Sequence, residues 1–244
     1  MKTQYFDEIH RILRQVEATQ AEPMDLLAQK MADAIRAHKN IYAFGCSHAG
    51  ILAEELFYRT GGLAVVNPIL APGLTLTVRP VTMTSQIERI EGYGRTIVIE
   101  NGVAEGDVLI VHSVSGRNPV PVEVAIAARE KGAFVAALTN IAYSESVSSR
   151  AACGKRLFEV CDAVIDNCGE IGDAVCAIEG MPEKVAASST VVGAAILNSI
   201  VADTVERLVK SGTVPPVFMS ANVEGGDEHN AVMLEEYKDN IKYM

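Results

Sequence analysis

The chain has 244 residues, of which 49% are hydrophobic and 21% charged, a balance typical of globular proteins that excludes disorder and fibrous repeats. Lys and Arg number 21 against 31 Asp and Glu, and the resulting net charge of −10 disfavours nucleic acid and anionic membranes as partners. Because no apolar run reaches the ~20 residues of a membrane span and the acidic amino terminus differs from a signal peptide, we expect a cytoplasmic protein.

Apolar residues at helical spacing occupy the start of the chain, in residues 5–16 and again in residues 26–35. The period then changes, because residues 41–44 form a short apolar run closed by a glycine, which is typical of a buried strand. We therefore interpret residues 1–40 as a helical extension and residues 41–244 as one domain.

Strands and helices alternate over the rest of the chain. Further apolar runs predict strands at residues 63–66, 108–111, 134–138 and 163–165. Helical patterns lie between and after them, at residues 51–58, 85–91, 120–131 and 188–210. This alternation predicts an α/β fold, a three-layer sandwich built on a five-stranded parallel sheet.

Three polar clusters follow predicted strands or precede a helix. They are Ser47 with His48, then Ser113, Ser115 and Asn118, and finally Ser188, Ser189 and Thr190. Ligands of open parallel sheets bind where strand ends meet helix starts, and the amides there attract anions. Hydroxyl groups add donors without charge, so we predict a single anion site; simple helix capping is the alternative for each cluster. We predict no metal and no cofactor.

The order of these motifs resembles the sugar isomerase, or SIS, domain. A strand, a GxS turn, a second strand, an SxSGxN turn and SST before a long helix match it over about residues 41–210. The segment SGRNPVPVEVA at residues 115–125 is similar to the SGRTP segment of N-acetylmuramic acid 6-phosphate etherases. FGCSHAGILAEELFYRTGGL and SANVEGGDEHN resemble an uncharacterised SIS group related to phosphoheptose isomerases.

This resemblance implies a flavodoxin-like sheet, a sugar phosphate as ligand, and a homodimer or homotetramer with its sites at the subunit interface. The phosphate ligands that it implies are Ser113, Ser115, Asn118, Ser189 and Thr190. The first loop departs from the GxGxS of the family. An ungapped alignment puts the family's Ser on Ala49, whereas an alignment on the turn puts it on Ser47. We take Ser47, the only hydroxyl available there.

Isomerisation between an aldose and a ketose needs a base near carbon 2 and an acid near the oxygens. The working Glu that follows the first loop in phosphoheptose isomerases and etherases falls here on Phe57 or Arg59, so it does not transfer. Glu54 and Glu55 are the nearest carboxylates, and at most one faces the site because adjacent helical positions point ~100° apart. Glu55 is our candidate, and solvation or pairing with Arg59 is the alternative.

Histidines are the candidate acids. His48 lies in the first loop itself, where a structural role is the alternative. His229 lies in the polar segment GGDEHN, which we expect to close over the site of a neighbouring copy, with capping of a helix there as the alternative. His112 ends a buried strand and is interpreted as a satisfied core histidine.

The predicted function is therefore a sugar-phosphate isomerase that uses an acid and a base. A non-catalytic phosphosugar sensor and an etherase-like lyase remain alternatives. A serine hydrolase is a remote one: residues 45–49 lie between strand and helix like a GxSxG nucleophile elbow, but the last Gly is Ala49.

Overall fold

The computed structural model describes residues 3–244, and a five-stranded sheet forms its centre. The strands are β1 (Ile41–Gly45), β2 (Val66–Ile69), β3 (Val108–His112), β4 (Phe134–Thr139) and β5 (Ala163–Asp166). Their order is β2-β1-β3-β4-β5 and every neighbouring pair is parallel. This is the flavodoxin-like order, so the predicted fold class is confirmed.

Helices connect the strands and cover both faces of the sheet. They are α1 (Gln4–Thr19), α2 (Ala21–Arg36), α3 (Ile51–Leu56), α4 (Met83–Ile87), α5 (Tyr93–Glu100), α6 (Pro119–Glu130), α7 (Ile141–Glu145), α8 (Ser189–Lys210) and α9 (Gly226–Glu236). Two 3₁₀ turns (Ser47–Gly50 and Leu157–Glu159) and a small antiparallel hairpin of β6 (Ala174–Cys176) and β7 (Val185–Ala187) complete the described elements.

Two hydrophobic cores form because successive strand residues point to opposite faces of the sheet. On one face, Ile110 of β3 packs among α1, α2, α3 and α8; on the other, Leu109 packs among α5 and α6. The two amino-terminal helices contribute fully buried residues to the first core, among them Ile12 and Leu27. The division of the chain at residue 40 stays a prediction.

The second strand is displaced from its predicted position. Residues 63–66 were expected to form it, but β2 covers Val66–Ile69 and includes Pro68. A proline is tolerated there because β2 is an edge strand that pairs only with β1. The preceding apolar residues pair elsewhere: Leu63 forms an antiparallel bridge with Val217, and the Ala64 amide donates to the Pro216 carbonyl at 2.8 Å.

Residues 67–106 contain more helix than their composition indicates. The helix expected at residues 85–91 is α4, which ends at Ile87, and α5 follows after Gly92. Gly92 has φ +85°, a left-handed conformation that glycine adopts without strain. A Cβ on Gly94 would lie 2.6 Å from the Val120 carbonyl oxygen, so this second glycine allows α5 to pack closely on α6. Tertiary packing, rather than local preference, explains this helix.

Candidate functional site

The carboxyl edge of the sheet is the end at which β1, β3, β4 and β5 stop. We call residues 46–50 the first loop and residues 113–118 the second loop, which follow β1 and β3. The two loops are adjacent because β1 and β3 are paired, with Gly45 opposite His112. The predicted first and second polar clusters therefore meet at one edge.

The first loop turns sharply into α3. A Cβ on Gly45 would lie 2.5 Å from the Ala49 carbonyl carbon, so only glycine permits this turn. Ser47 has φ +56°, and its amide donates to the Leu74 carbonyl at 2.7 Å. Within residues 3–244 its hydroxyl has no hydrogen-bond partner. Ser47 thus presents a free hydroxyl at the edge, as the prediction requires.

The second loop leaves its donors unused. The Ser113 carbonyl accepts from Thr139 Oγ1 at 2.7 Å, which fixes the loop to the end of β4. In the described part of the chain, the hydroxyls of Ser113 and Ser115 and the backbone amides of residues 114–118 donate to no protein group. Successive free amides in a turn form a concave anion-binding surface.

Gly116 makes the shape of this loop possible. It has φ +58°, and a Cβ there would lie 3.2 Å from both Leu157 Cβ and Ser144 Oγ. The buried Ser144 hydroxyl has no partner among residues 3–244. The loop is thus packed closely from behind while its amides stay free.

Asn118 differs from the serines of the same loop, since both ends of its amide are occupied. Its Nδ2 donates to a carboxylate oxygen of Glu88, and its Oδ1 accepts from Arg150 Nη1 at 3.0 Å. Asn118 is 9% exposed. Burial raises the pKa of Glu88, and the charges of Arg89 and Arg150 oppose that rise. The predicted role of Asn118 as a phosphate ligand stays a prediction, and the described contacts tie its side chain to the protein.

The third cluster holds an internal anion. Asp173 Oδ1 accepts from the amides of Ser188 at 3.1 Å and Ser189 at 2.8 Å, and its Oδ2 accepts from Ser189 Oγ at 2.6 Å. Ser188 Oγ also donates to Asp173. The start of α8 thus binds a carboxylate, as helix amino termini favour. Thr190 keeps a free hydroxyl in the chain as described.

Three further polar residues lie at the same edge, and sequence reasoning missed them. Asn140 Nδ2 donates to Asn167 Oδ1 at 3.1 Å, across the ends of β4 and β5. A Cβ on Gly169 would lie within 3.2 Å of both these atoms and of Ser188 Oγ, so α8 begins against the asparagines. The two asparagines directly follow apolar strands, a signal that could have found them. Asp173 has no such signal, because it lies outside the strand ends.

His112 is buried but is not satisfied. Its Nδ1 lies 3.0 Å from the Ala49 carbonyl, which requires the proton on Nδ1 and leaves Nε2 as an acceptor. Nε2 is buried with no partner among residues 3–244. Burial lowers the pKa of His112 from its ordinary 6.5, which the Ala49 hydrogen bond and the charge of Asp173 partly oppose. The expectation of a satisfied core histidine is wrong at this atom.

The candidate catalytic residues lie apart. His48 is exposed in the first loop, beside Ser47. Glu55 lies near the end of α3, where it pairs with Arg59 and accepts from Asn198 Nδ2 of α8 at 3.1 Å. The pairing of Glu55 with Arg59, which the sequence analysis gives as the alternative, is therefore present in the structure. Glu55 also lies more than a full helical turn beyond the first loop.

His229 lies on α9, away from this edge in its own chain. Its Nε2 is 3.0 Å from the Val217 carbonyl, and Val217 pairs with Leu63 ahead of the amino end of β2. A groove of about 360 Å³ contains His229 and Pro215. Within one copy of the protein, His229 and His48 therefore lie at different ends of the sheet.

No group of three or more His, Cys, Asp or Glu side chains that could hold a metal occurs in residues 3–244. Over the same residues, none of the helices has the length and apolar character needed to cross a membrane.

The sequence of this chain is similar to sequences of known proteins. The SIS domain family model matches residues 4–140, which include both loops. A UPF0309 protein of Shouchella clausii is 51% identical over 241 residues, 99% of this chain and 98% of that protein. A UPF0309 protein of Listeria innocua is 44% identical over 99% of this chain and 97% of its own length.

Two solved structures share the fold. A phosphoheptose isomerase from Francisella tularensis aligns with a TM-score of 0.55 and 15% identity, over 82% of this chain and 94% of that one. A phosphoheptose isomerase from Neisseria gonorrhoeae aligns with a TM-score of 0.50 and 22% identity, over 85% and 95% of the two chains.

Proposed function

The chain belongs to the SIS domain family, and from that premise we propose that it binds a sugar phosphate at the carboxyl edge and interconverts its aldose and ketose forms. The phosphoryl group is held by the second loop, through the hydroxyls of Ser113 and Ser115 and the amides of residues 114–118, with Ser47 opposite. The family and the two phosphoheptose isomerases that share the fold support a sugar phosphate as the ligand class.

The observation that carries this proposal is the unused second loop. A folded protein pairs nearly all of its buried polar backbone groups, so a run of amides in a partly buried loop that donate to no protein group is available to an external acceptor. The amides of residues 114–118 and the two serine hydroxyls form such a run beside Ser47. A phosphoryl group supplies several acceptor oxygens at once, and hydroxyl and amide donors hold it without added positive charge.

The reaction moves a proton between carbons 1 and 2 of the opened sugar. In our proposal Glu55 removes the proton from carbon 2 while an acid protonates the oxygen on carbon 1, which gives the enediol. Glu55 then returns its proton to carbon 1 while the deprotonated acid takes the proton from the oxygen on carbon 2, which gives the ketose. His48 is the proposed acid because it is exposed in the first loop, next to Ser47. We assign His229 to the site of a second copy, and the protein to a homodimer or homotetramer.

Isotope exchange tests the proposal directly. The protein is incubated in heavy water with hexose, heptose and amino-sugar 6-phosphates, and deuterium at carbon 2 is followed by NMR. We expect incorporation into at least one sugar, lost in a Ser113→Ala, Ser115→Ala double variant and strongly reduced in Glu55→Gln and His48→Gln. Arg14→Gln, an exposed change on α1, is the control.

Three outcomes contradict the proposal in different ways. Sugar-phosphate binding without deuterium incorporation removes the isomerase and leaves a phosphosugar-binding protein. Release of lactate from N-acetylmuramic acid 6-phosphate assigns the etherase reaction instead. Absence of binding by every member of the panel removes the ligand class itself. The cytoplasmic location stays a prediction, tested by fractionation.

A further inference from the structure

Three arginines gather around Asn118, at the end of the second loop. The Arg150 amide donates to the Arg117 carbonyl at 2.7 Å, and Arg150 Nη1 donates to Asn118 Oδ1 at 3.0 Å. The other end of the Asn118 amide binds Glu88, the residue before Arg89. Arg150 thus contacts Asn118 directly, Arg117 precedes it in the chain, and Arg89 follows the carboxylate that binds it. We call Arg89, Arg117 and Arg150 the arginine patch.

The positive charge of the patch is only partly neutralised. Among residues 3–244, no carboxylate oxygen lies within the 4.0 Å ion-pair distance of any of the three guanidinium groups. Arg117 donates instead to the Ser148 carbonyl at 3.0 Å, and the Arg89 side chain makes no hydrogen bond there. Glu88 is the carboxylate whose charge acts on Arg150, and burial raises the pKa of Glu88. A protein with net charge −10 has many acids with which to neutralise such a cluster, so its incomplete pairing is notable.

The electrostatics agree with this geometry. The pKa of Arg150 is lowered, first by desolvation and then by the charges of Arg117 and Arg89, against smaller opposing effects of Glu88 and Tyr143. Mutual repulsion of this kind is relieved by an anion. Arginine suits the role, because its planar guanidinium group binds carboxylate and phosphate oxygens in pairs.

The patch adjoins the proposed phosphate site. Arg117 is two residues from Ser115, so their Cα atoms are at most about 7 Å apart. The second loop and the patch are therefore close enough for one ligand to contact both. We propose that the arginine patch binds a second anionic group of the same sugar phosphate, a carboxylate or a further phosphate. This inference rests on the proposed function and narrows its substrate class to phosphosugars that carry two anionic groups.

Paired ligands isolate the second anionic group. Glucose 6-phosphate is compared with 6-phosphogluconate, which adds a carboxylate, and fructose 6-phosphate with fructose 1,6-bisphosphate, which adds a phosphate. Dissociation constants are measured by isothermal titration calorimetry at low and moderate salt. For one pair we expect the wild type to bind the member with two anionic groups about tenfold tighter, an advantage that decreases as salt rises.

Arg89→Gln is the decisive variant, because the Arg89 side chain makes no hydrogen bond within the described chain and its loss does not threaten the fold. We expect it to reduce the preference for the second anionic group severalfold while the affinity for the monophosphate stays the same. Arg117→Gln tests a second member of the patch, and Arg14→Gln, on the exposed surface of α1, is the matched control that retains the preference.

Each result has one consequence. The pair that shows the preference identifies the second group as a carboxylate or as a phosphate. Equal affinities within both pairs overturn this inference and leave the proposed function intact. A preference that survives in both Arg89→Gln and Arg117→Gln also overturns it, since another part of the protein then binds the second group. Absence of binding by all four ligands overturns the inference together with the proposed function.

Discussion

The second loop and the start of α8 contain the same kinds of donor in opposite states. In the second loop, the hydroxyls of Ser113 and Ser115 and the following amides have no acceptor in residues 3–244. At the start of α8, the amides of Ser188 and Ser189 and the Ser189 hydroxyl all donate to Asp173. The difference teaches that the donors of a hydroxyl-rich turn at a strand or helix end are either used by an internal carboxylate or left free of protein acceptors.

The two states have different energetic consequences. A carboxylate that accepts amide donors at a helix start stabilises the fold. Unpaired donors in a packed loop contribute no such stability, and they are available for a ligand. We therefore expect mutations at α8 to change the free energy of unfolding, and mutations in the second loop to change ligand affinity.

Gly116→Ala is expected to have the largest effect on binding. Its φ of +58° and the 3.2 Å approach to Leu157 Cβ oblige the loop to move when a Cβ is added. We expect the affinity for the tightest-binding sugar of the panel to fall about a hundredfold, since a displacement of about 1 Å at a site has an effect of that size on function. Gly212→Ala is the control: it has φ +79° and open space around it, so it loses only stability. Equal affinities of the two variants would show that the second loop is not the binding element.

Asp173→Ala is expected to have the largest effect on stability. Loss of the acceptor for four donors at the start of α8 lowers the free energy of unfolding by about 2 kcal/mol, measured by urea denaturation. Inorganic phosphate should then occupy the vacated donors and raise the melting temperature of this variant more than that of the wild type. Asp33→Ala, an exposed change on α2, should show no phosphate dependence. The internal-anion interpretation fails if phosphate does not stabilise Asp173→Ala.

Matched serine variants compare the two regions most directly. Ser115→Ala removes a free hydroxyl, and we expect about a tenfold loss of sugar-phosphate affinity without a change in stability. Ser189→Ala removes a bond to Asp173, and we expect a loss of about 1 kcal/mol of stability without a change in affinity. Calorimetry measures the affinity of each variant, and urea denaturation measures its free energy of unfolding. If Ser189→Ala lowers the affinity and Ser115→Ala lowers the stability instead, Asp173 must leave α8 when the ligand binds.

His112 predicts a smaller effect, on the pH dependence of stability. Because its pKa is lowered in the folded state, the unfolded chain binds its proton more readily, and stability falls as pH drops below 6.5. The slope reaches at most about 1.4 kcal/mol per pH unit for one proton. His112→Gln should flatten the urea-denaturation profile between about pH 7 and 5. If the profile of His112→Gln is the same as that of the wild type, His112 is not the group that makes stability depend on pH.

Most of the fold could be predicted because its signals are local. The apolar runs of the inner strands β1, β3 and β4 are buried on both sides, which gives continuous hydrophobic strands bounded by polar turns. The prediction of β2 failed because Leu63 and Ala64 are as apolar as a strand, and their pairing with residues 216–218, far along the chain, decides their place. No pattern within residues 63–69 records that partner.

By itself, the sequence determined that Ser47, Ser113 and Ser115 follow strands of one parallel sheet and so share one edge, since the ends of parallel strands lie on the same side. Only the tertiary structure decided which donors stay free. Asp173 reaches the start of α8 because Ala174 of β6 pairs with Ala187 of β7, just before that helix. The arginine patch forms because distant segments of the chain meet at Asn118. Occupancy of a donor depends on contacts between residues far apart in the chain, and local patterns of residue type carry no information about them.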